Sequence, residues 1–232
     1  MREIVLDTET TGFDPLTGDR LVEIGCVALF NHLPSGEVFH RYINPERDMP
    51  EEAFKVHGLS AAFLADKPVF AAVADSFLDF IGDAPLVIHN AEFDMRFLNA
   101  ELARLGRPTL PMSRAIDTVA MARKRFPGAQ ANLDALCRRF GIDNSHRTQH
   151  GALLDAELLA EVYLQLIGGR QPGLELGVRA AAAAAGRAAP VERVARPPRP
   201  HAPSAAEAEA HAAFLDRFKA APVWRRQAAE EG

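Results

Sequence analysis

In 232 residues there are only two cysteines, one tryptophan and two tyrosines, and no apolar run approaches the ~20 residues that span a bilayer. Cys26 and Cys137 lie in apolar surroundings, outside any C-x-x-C or Cys/His cluster. That pattern reads as buried free thiols and argues against a zinc site, so any metal must be held by oxygen ligands. The first residues lack the basic segment, apolar stretch and small-residue cleavage site of a secretory signal, which predicts a cytoplasmic protein. An excess of basic residues is also missing. The net charge of −5 argues against a general nucleic-acid coat.

The charge is unevenly spread. Residues 1–168 carry 16 Lys+Arg against 24 Asp+Glu, whereas residues 169–232 carry 10 against 7. An acidic body makes physical sense if several acids ligate cations, because bound ions reverse the local field.

What is present alternates between strand and helix signals. Residues 2 to about 8 are aliphatic and β-branched, and Thr10-Thr11-Gly12 with Asp14-Pro15 ends that strand. Residues 21–30 form a second strand. A turn at Leu33-Pro34-Ser35-Gly36 leads to a third over about 38–43, which gives an antiparallel hairpin. Residues 51–81 read as helical, interrupted near His57-Gly58. Leu86-Val87-Ile88 is a wholly apolar and hence buried strand. Helices are expected over about 91–105, from an Asn132 cap to 140, and over 152–167, with a fifth strand at 115–117. The fold class is therefore α/β, a mixed sheet of five strands flanked by helices.

Three clusters carry chemistry. Asp7 and Glu9 are two apart in a strand, so they share one face, while Ile4 and Leu6 face the opposite way. Two adjacent carboxylates at a buried strand end repel each other and call for a cation. A solvated strand end would explain that pair alone. Asp94 sits in the first turn of the helix that follows His89-Asn90, at the border of a stripe containing Phe97 and Leu98. A simple complement to the helix dipole would explain it alone. Asp155 heads a stripe with Ala152, Leu159 and Val162, and a carboxylate there is costly unless paired or metal-bound. His150 lies just before that helix. Four acids and a histidine, each at a strand end or helix start, fit a site for hard cations such as Mg²⁺ or Mn²⁺.

Asp7-Thr8-Glu9-Thr10-Thr11-Gly12, Asn90-Ala91-Glu92-Phe93-Asp94 and His150 with Asp155 resemble the three motifs of the DEDDh exonucleases. Across residues 1–168 the chain is similar to the proofreading members of that family, which serve bacterial replicative polymerases. The resemblance implies an RNase H-like fold. It also implies that Asp7, Glu9, Asp94 and Asp155 bind two divalent metal ions and that His150 is the general base. The implied substrate is a single-stranded or frayed DNA 3′ end. Thr10, His57 and Phe93 are candidates to touch its terminal nucleotide, Thr10 through backbone or hydroxyl and the two rings by stacking.

After residue 168 the composition changes. Gln171, Leu174 and Leu176, within 169–176, resemble a sliding-clamp-binding peptide. Residues 177–203 are rich in Ala, Pro and Arg and read as a flexible linker. Residues 204–232 open with the capping-box pattern Ser204-Ala205-Ala206-Glu207. Phe214, Leu215, Phe218 and Trp224 follow, as expected for a short amphipathic helix that binds the polymerase catalytic subunit. Two other functions stay open on the sequence: a stand-alone nuclease for RNA 3′ ends or short oligonucleotides, and a non-catalytic tether between polymerase and clamp.

Overall fold

The computed structural model of the chain describes residues 1–147, 149–169 and 202–218. Two compact units are distinguished, Met1–Glu175 and Leu176–Gly232. In the first, β1 (Arg2–Thr10), β2 (Leu21–Phe30), β3 (Leu33–Tyr42), β4 (Leu86–Ile88) and β5 (Ala115–Asp117) form one mixed sheet in the order β3-β2-β1-β4-β5. β1 and β2 are antiparallel, as are β2 and β3. β4 runs parallel to β1, and β5 to β4.

Strand alternation sorts the core into two layers. Ile4 and Leu6 join Phe70, Phe77 and Ile81 of α3 (Phe70–Ile81) and Met95, Phe97 and Leu98 of α4 (Ala91–Arg104). Val5 and Val87 face the other way. They meet Ala122 of α5 (Thr118–Arg125), Leu136 of α6 (Leu133–Phe140) and Leu159 and Val162 of α7 (Ala152–Leu166). Cys26 and Cys137 are buried free thiols, one in each layer.

Three local expectations need correction. The hairpin turns at Asn31-His32, not at residues 33–36. Both turn residues have positive φ, 51° and 67°, and Phe30 pairs with Leu33. Two consecutive left-handed residues match the right-handed twist of a two-residue hairpin, and Asn is well suited to the first position. Residues 51–81 break at His57-Gly58 as expected but break again before α3, giving three helices, α1 (Glu51–His57), α2 (Ala61–Leu64) and α3. Gly58 at φ 72° closes α1 and Ser60 caps α2. The sequence reading also passed over α5, whose N-terminus is capped by Asp117 through the Val119 and Ala120 amides. In the second unit α8 (Ala205–Leu215) begins with the expected capping box at Ser204 and Glu207. Phe214 and Phe218 are exposed and edge-on to each other. Among the described residues no helix is long and apolar enough to cross a membrane.

Gly25 decides how closely α7 approaches the sheet. A Cβ at that position would fall inside the Ala152–Leu153 peptide. Gly25 pairs with Asp7 across the β1–β2 ladder, so the first turn of α7 rests on the sheet beside Asp7.

Candidate active site

β1 delivers the first two acids. Its register with β2 is regular as far as Glu9 and shifts at Thr10. Bulges of this kind end a ladder and re-aim side chains. Asp7 and Glu9 follow Val5 on the α7 face of the sheet. Glu9 lies opposite Glu23, whose carboxylate accepts from the Ala152 amide and contacts His40 Nε2 at 2.6 Å. Glu23 thus holds the N-terminus of α7, where an acid is favoured by the free amides and the dipole.

α4 delivers the third. Asn90 adopts the left-handed conformation (φ 68°) and turns the chain sharply from β4 into the helix. Asp94 is buried in the first turn, and its Oδ1 accepts from the Thr8 hydroxyl at 2.7 Å. Glu92, two residues earlier and off that face, is exposed.

α7 and the segment before it deliver the fourth acid and the histidine. Asp155 is buried and receives two hydrogen bonds from the Arg147 guanidinium, at 2.5 and 2.6 Å. Arg147 also reaches Asp134 at 3.0 Å and donates to His150 Nδ1 at 3.0 Å. His150 is half-exposed, with Nδ1 3.5 Å from Asp155 Oδ2. Its backbone amide donates to the Val56 carbonyl, which ties the histidine segment to α1.

These groups line one cleft of about 320 Å³, together with Thr8, His89, Asn132 and Leu133. Like charges crowd there in a poorly solvated place. Burial, then the neighbouring carboxylates, raise the Asp7 pKa well above its ordinary value. Burial and Asp155 push Glu9 up to about 8, and burial pushes Asp94 up to about 7. Such a cluster takes up either protons or cations. Ligand atoms of Glu9, His150 and Asp155 all lie within 4.8 Å of one another, close enough to share one ion. The oxygen-rich donor set therefore fits a hard divalent cation. His150 moves the other way, its pKa lowered by burial and by the Arg147 charge despite Asp155, so the ring is neutral at pH 7.

A second cavity of about 620 Å³ adjoins the cleft and shares Thr8, Glu9 and Phe93 with it. Thr10 and His57 also line it, so all three candidate substrate residues border one space. The Thr10 hydroxyl is already engaged, donating to the Gly12 carbonyl at 2.6 Å. His57 Nδ1 accepts from the Leu59 amide, which leaves its proton on Nε2. Its neighbour Gly58 leaves room for the Gln149 side chain, since a Cβ there would overlap it. His89 pairs with the Thr118 hydroxyl at 2.9 Å and supports the wall. Gln171, Leu174, Leu176 and Trp224 lie outside the described residues.

Sequence reasoning overlooked Arg147, Thr8 and Glu23. Arg147, three residues before His150, offered a weak signal. Thr8 and Glu23 offered none, because their roles depend on residues 86 and 129 positions away.

A family model described as exonuclease matches residues 4–163. A DNA polymerase III subunit epsilon of Rickettsia felis is 58% identical over 179 residues, covering 76% of this chain and 78% of that protein. The DNA polymerase III subunit epsilon of Escherichia coli is 51% identical over 176 residues, covering 73% and 72%. The fold is shared by the nuclease domain of 3′hExo, a DEDDh family member solved bound to rAMP. There the TM-score is 0.63 at 19% identity, covering 72% of this chain and 91% of that one.

Proposed function

Since the chain belongs to the exonuclease family that includes the DNA polymerase III epsilon subunits, we propose that it is a proofreading 3′→5′ exonuclease whose cleft removes the terminal nucleotide of a DNA strand. The family depends on divalent metal. Asp7, Glu9, Asp94 and Asp155 would hold two such ions, Mg²⁺ or Mn²⁺. When bound, such ions lower the pKa of a water and neutralise charge on the phosphodiester. The chain's own groups supply the rest. Thr8 fixes the Asp94 carboxylate, and Glu23 fixes the helix that carries Asp155. His150, neutral at pH 7, takes the proton of the attacking water at Nδ1, the nitrogen whose lone pair now accepts from Arg147. Arg147 must therefore withdraw from Nδ1 during each turnover. The terminal sugar and base would occupy the adjoining cavity, with Phe93 at the seam and His57 on the wall. A 5′-mononucleotide leaves.

One observation carries this reading: four acids from three elements converge beside a neutral histidine, and three of them are held well above their ordinary pKa. Titration calorimetry with Mn²⁺ tests it. The protein is expected to bind two ions. Asp155→Asn is expected to lose at least one of them, together with hydrolysis by on the order of 10²-fold or more. Unchanged Mn²⁺ binding in that variant would remove Asp155 from the metal site. Contacts with polymerase through residues 204–232 and with the sliding clamp through Gln171, Leu174 and Leu176 are proposed from the sequence pattern and the relatives' naming, as is a cytoplasmic location.

A further inference from the structure

Outside the cleft the acidic body has one basic face. Residues 118–141 carry Arg123, Lys124, Arg125, Arg138 and Arg139 against the single acid Asp134. The rest of residues 1–168 carries 11 Lys+Arg against 23 Asp+Glu. The five cations come from the last turns of α5 and α6, and one aromatic contact joins the two helix ends. Phe126 and Phe140 pack at 5.9 Å, and the Arg125 and Arg139 guanidinium groups stand 5.6 and 4.5 Å from the Phe126 ring centroid. All five are exposed. Among the described residues none of them forms an ion pair, although most arginines elsewhere in this unit do. Like charges collected without counter-charges cost free energy unless an anion occupies the face.

The position of the face says which anion. Ala129, Gln130, Ala135, Arg138 and Arg139 line a shallow groove. The next residues of the same helix start, Asn132, Leu133 and Asp134, line the catalytic cleft. Groove and cleft thus flank the same first turn of α6. We propose that this basic face binds the phosphate backbone of the DNA strand upstream of the 3′ end being cut. The proposal rests on the reading of the cleft as a nuclease site. From Asn132 to Arg139 is about 10 Å at a rise of 1.5 Å per residue. At ~3.4 Å per stacked nucleotide that corresponds to roughly three nucleotides behind the terminal one. Arg125 also donates to the Gln165 and Leu166 carbonyls at the end of α7, which leaves Arg123, Lys124, Arg138 and Arg139 for phosphate. Long cationic side chains read phosphate rather than base, as an enzyme indifferent to sequence requires. Residues 169–232 carry 10 Lys+Arg against 7 Asp+Glu, a net sign that does not complement this face.

The test is a charge reversal at the three cations that do not pack on Phe126, Arg123→Glu with Lys124→Glu and Arg138→Glu in the full chain. Binding of a fluorescent single-stranded 20-mer is followed by anisotropy in chelator across a salt series. Hydrolysis of the 20-mer and of a dinucleotide is followed with Mg²⁺. The triple variant is expected to bind the 20-mer at least 10-fold more weakly at low salt. Its slope of log K against log salt should be shallower by about two, as three lost contacts predict for a single strand. The dinucleotide, too short to reach the groove, should be cut at the wild-type rate. The neutral Arg123→Gln, Lys124→Gln, Arg138→Gln variant should show the same changes at smaller size, which separates lost contact from misfolding. Unchanged 20-mer affinity and salt slope would overturn the proposal and leave the face to some other anion, such as an acidic protein surface. An equal loss on the dinucleotide would overturn it too, by showing that the substitutions act on the cleft. If wild-type protein cut neither substrate, the nuclease reading would fail, while the binding series would still judge the basic face.

Discussion

At the residue scale the cleft is a cluster of acids that burial holds partly protonated, and this makes its stability depend on pH. Free carboxyl groups titrate near 4. In the folded, metal-free protein Asp94 titrates at about 7 and Glu9 at about 8. Between those limits the native state binds more protons than the unfolded chain, so stability falls as pH rises. His57, His89 and His150 have lowered pKa values, chiefly through burial, and act in the opposite sense. Their contribution is complete above about 6.5, the ordinary imidazole value. From pH 6.5 to 8 the carboxyls therefore set the slope. Melting temperature in chelator should fall across that range, saturating Mg²⁺ should offset the fall, and Glu9→Gln should flatten it. A melting temperature that rises with pH in chelator would contradict the assigned environment.

His150 gives the second residue-scale prediction. Because its pKa is lowered, turnover at saturating metal should decline with unit slope only below pH 6.5. His150→Ala should lose on the order of 10²-fold in kcat and lose that acid limb as well. A variant with full kcat and only a raised KM would make His150 a binding group. The acids and this histidine were visible in the sequence because each sits in a short motif at an element's end. Arg147 was not, since nothing local says that its guanidinium will reach Asp155, Asp134 and His150 together.

At the scale of elements, α7 positions the site, and its seat on the sheet depends on the missing side chain at Gly25. Filling that space would push the helix outward, since the obstacle is the Ala152–Leu153 backbone rather than a mobile side-chain tip. Overpacking of this kind costs about 1–3 kcal/mol. A shift of ~1 Å in a metal ligand can cost 10²-fold in rate. Gly25→Ala should thus fold with a reduced melting temperature and lose about 10²-fold in kcat, although residue 25 lines neither cavity. Wild-type turnover in this variant, measured with Mg²⁺ on a single-stranded oligonucleotide, would show that α7 is not held by that contact. The sequence made the five strands and most helices legible, because their periodicity is strong. It misplaced the β2–β3 turn because Pro34 and Gly36 resemble turn residues more than Asn31-His32 do. Only the pairing of Phe30 with Leu33 reveals the tighter turn. α5 escaped because its eight residues bury little more than Thr118 and Ala122 and so show almost no apolar stripe.

At the scale of the whole molecule, an acidic nuclease unit is followed by a basic stretch, of whose predicted contacts Phe214, Leu215 and Phe218 lie within the described residues and Gln171, Leu174, Leu176 and Trp224 beyond them. A linker between them would hold the nuclease near a primer end at high effective concentration. That arrangement has value only if the cleft cuts from a 3′ terminus. The most direct measurement incubates the full chain and its Asp7→Ala variant with Mg²⁺ and a primer–template bearing a 3′ mismatch, with circular single-stranded DNA alongside, and identifies the products. 5′-Mononucleotides should be released stepwise from the mismatched 3′ end, faster than from a paired end because frayed bases enter the cleft without first unpairing, with the circle intact and the Asp7→Ala variant inert. Cuts within the circle, or equal activity in the Asp7→Ala variant, would contradict the nuclease reading.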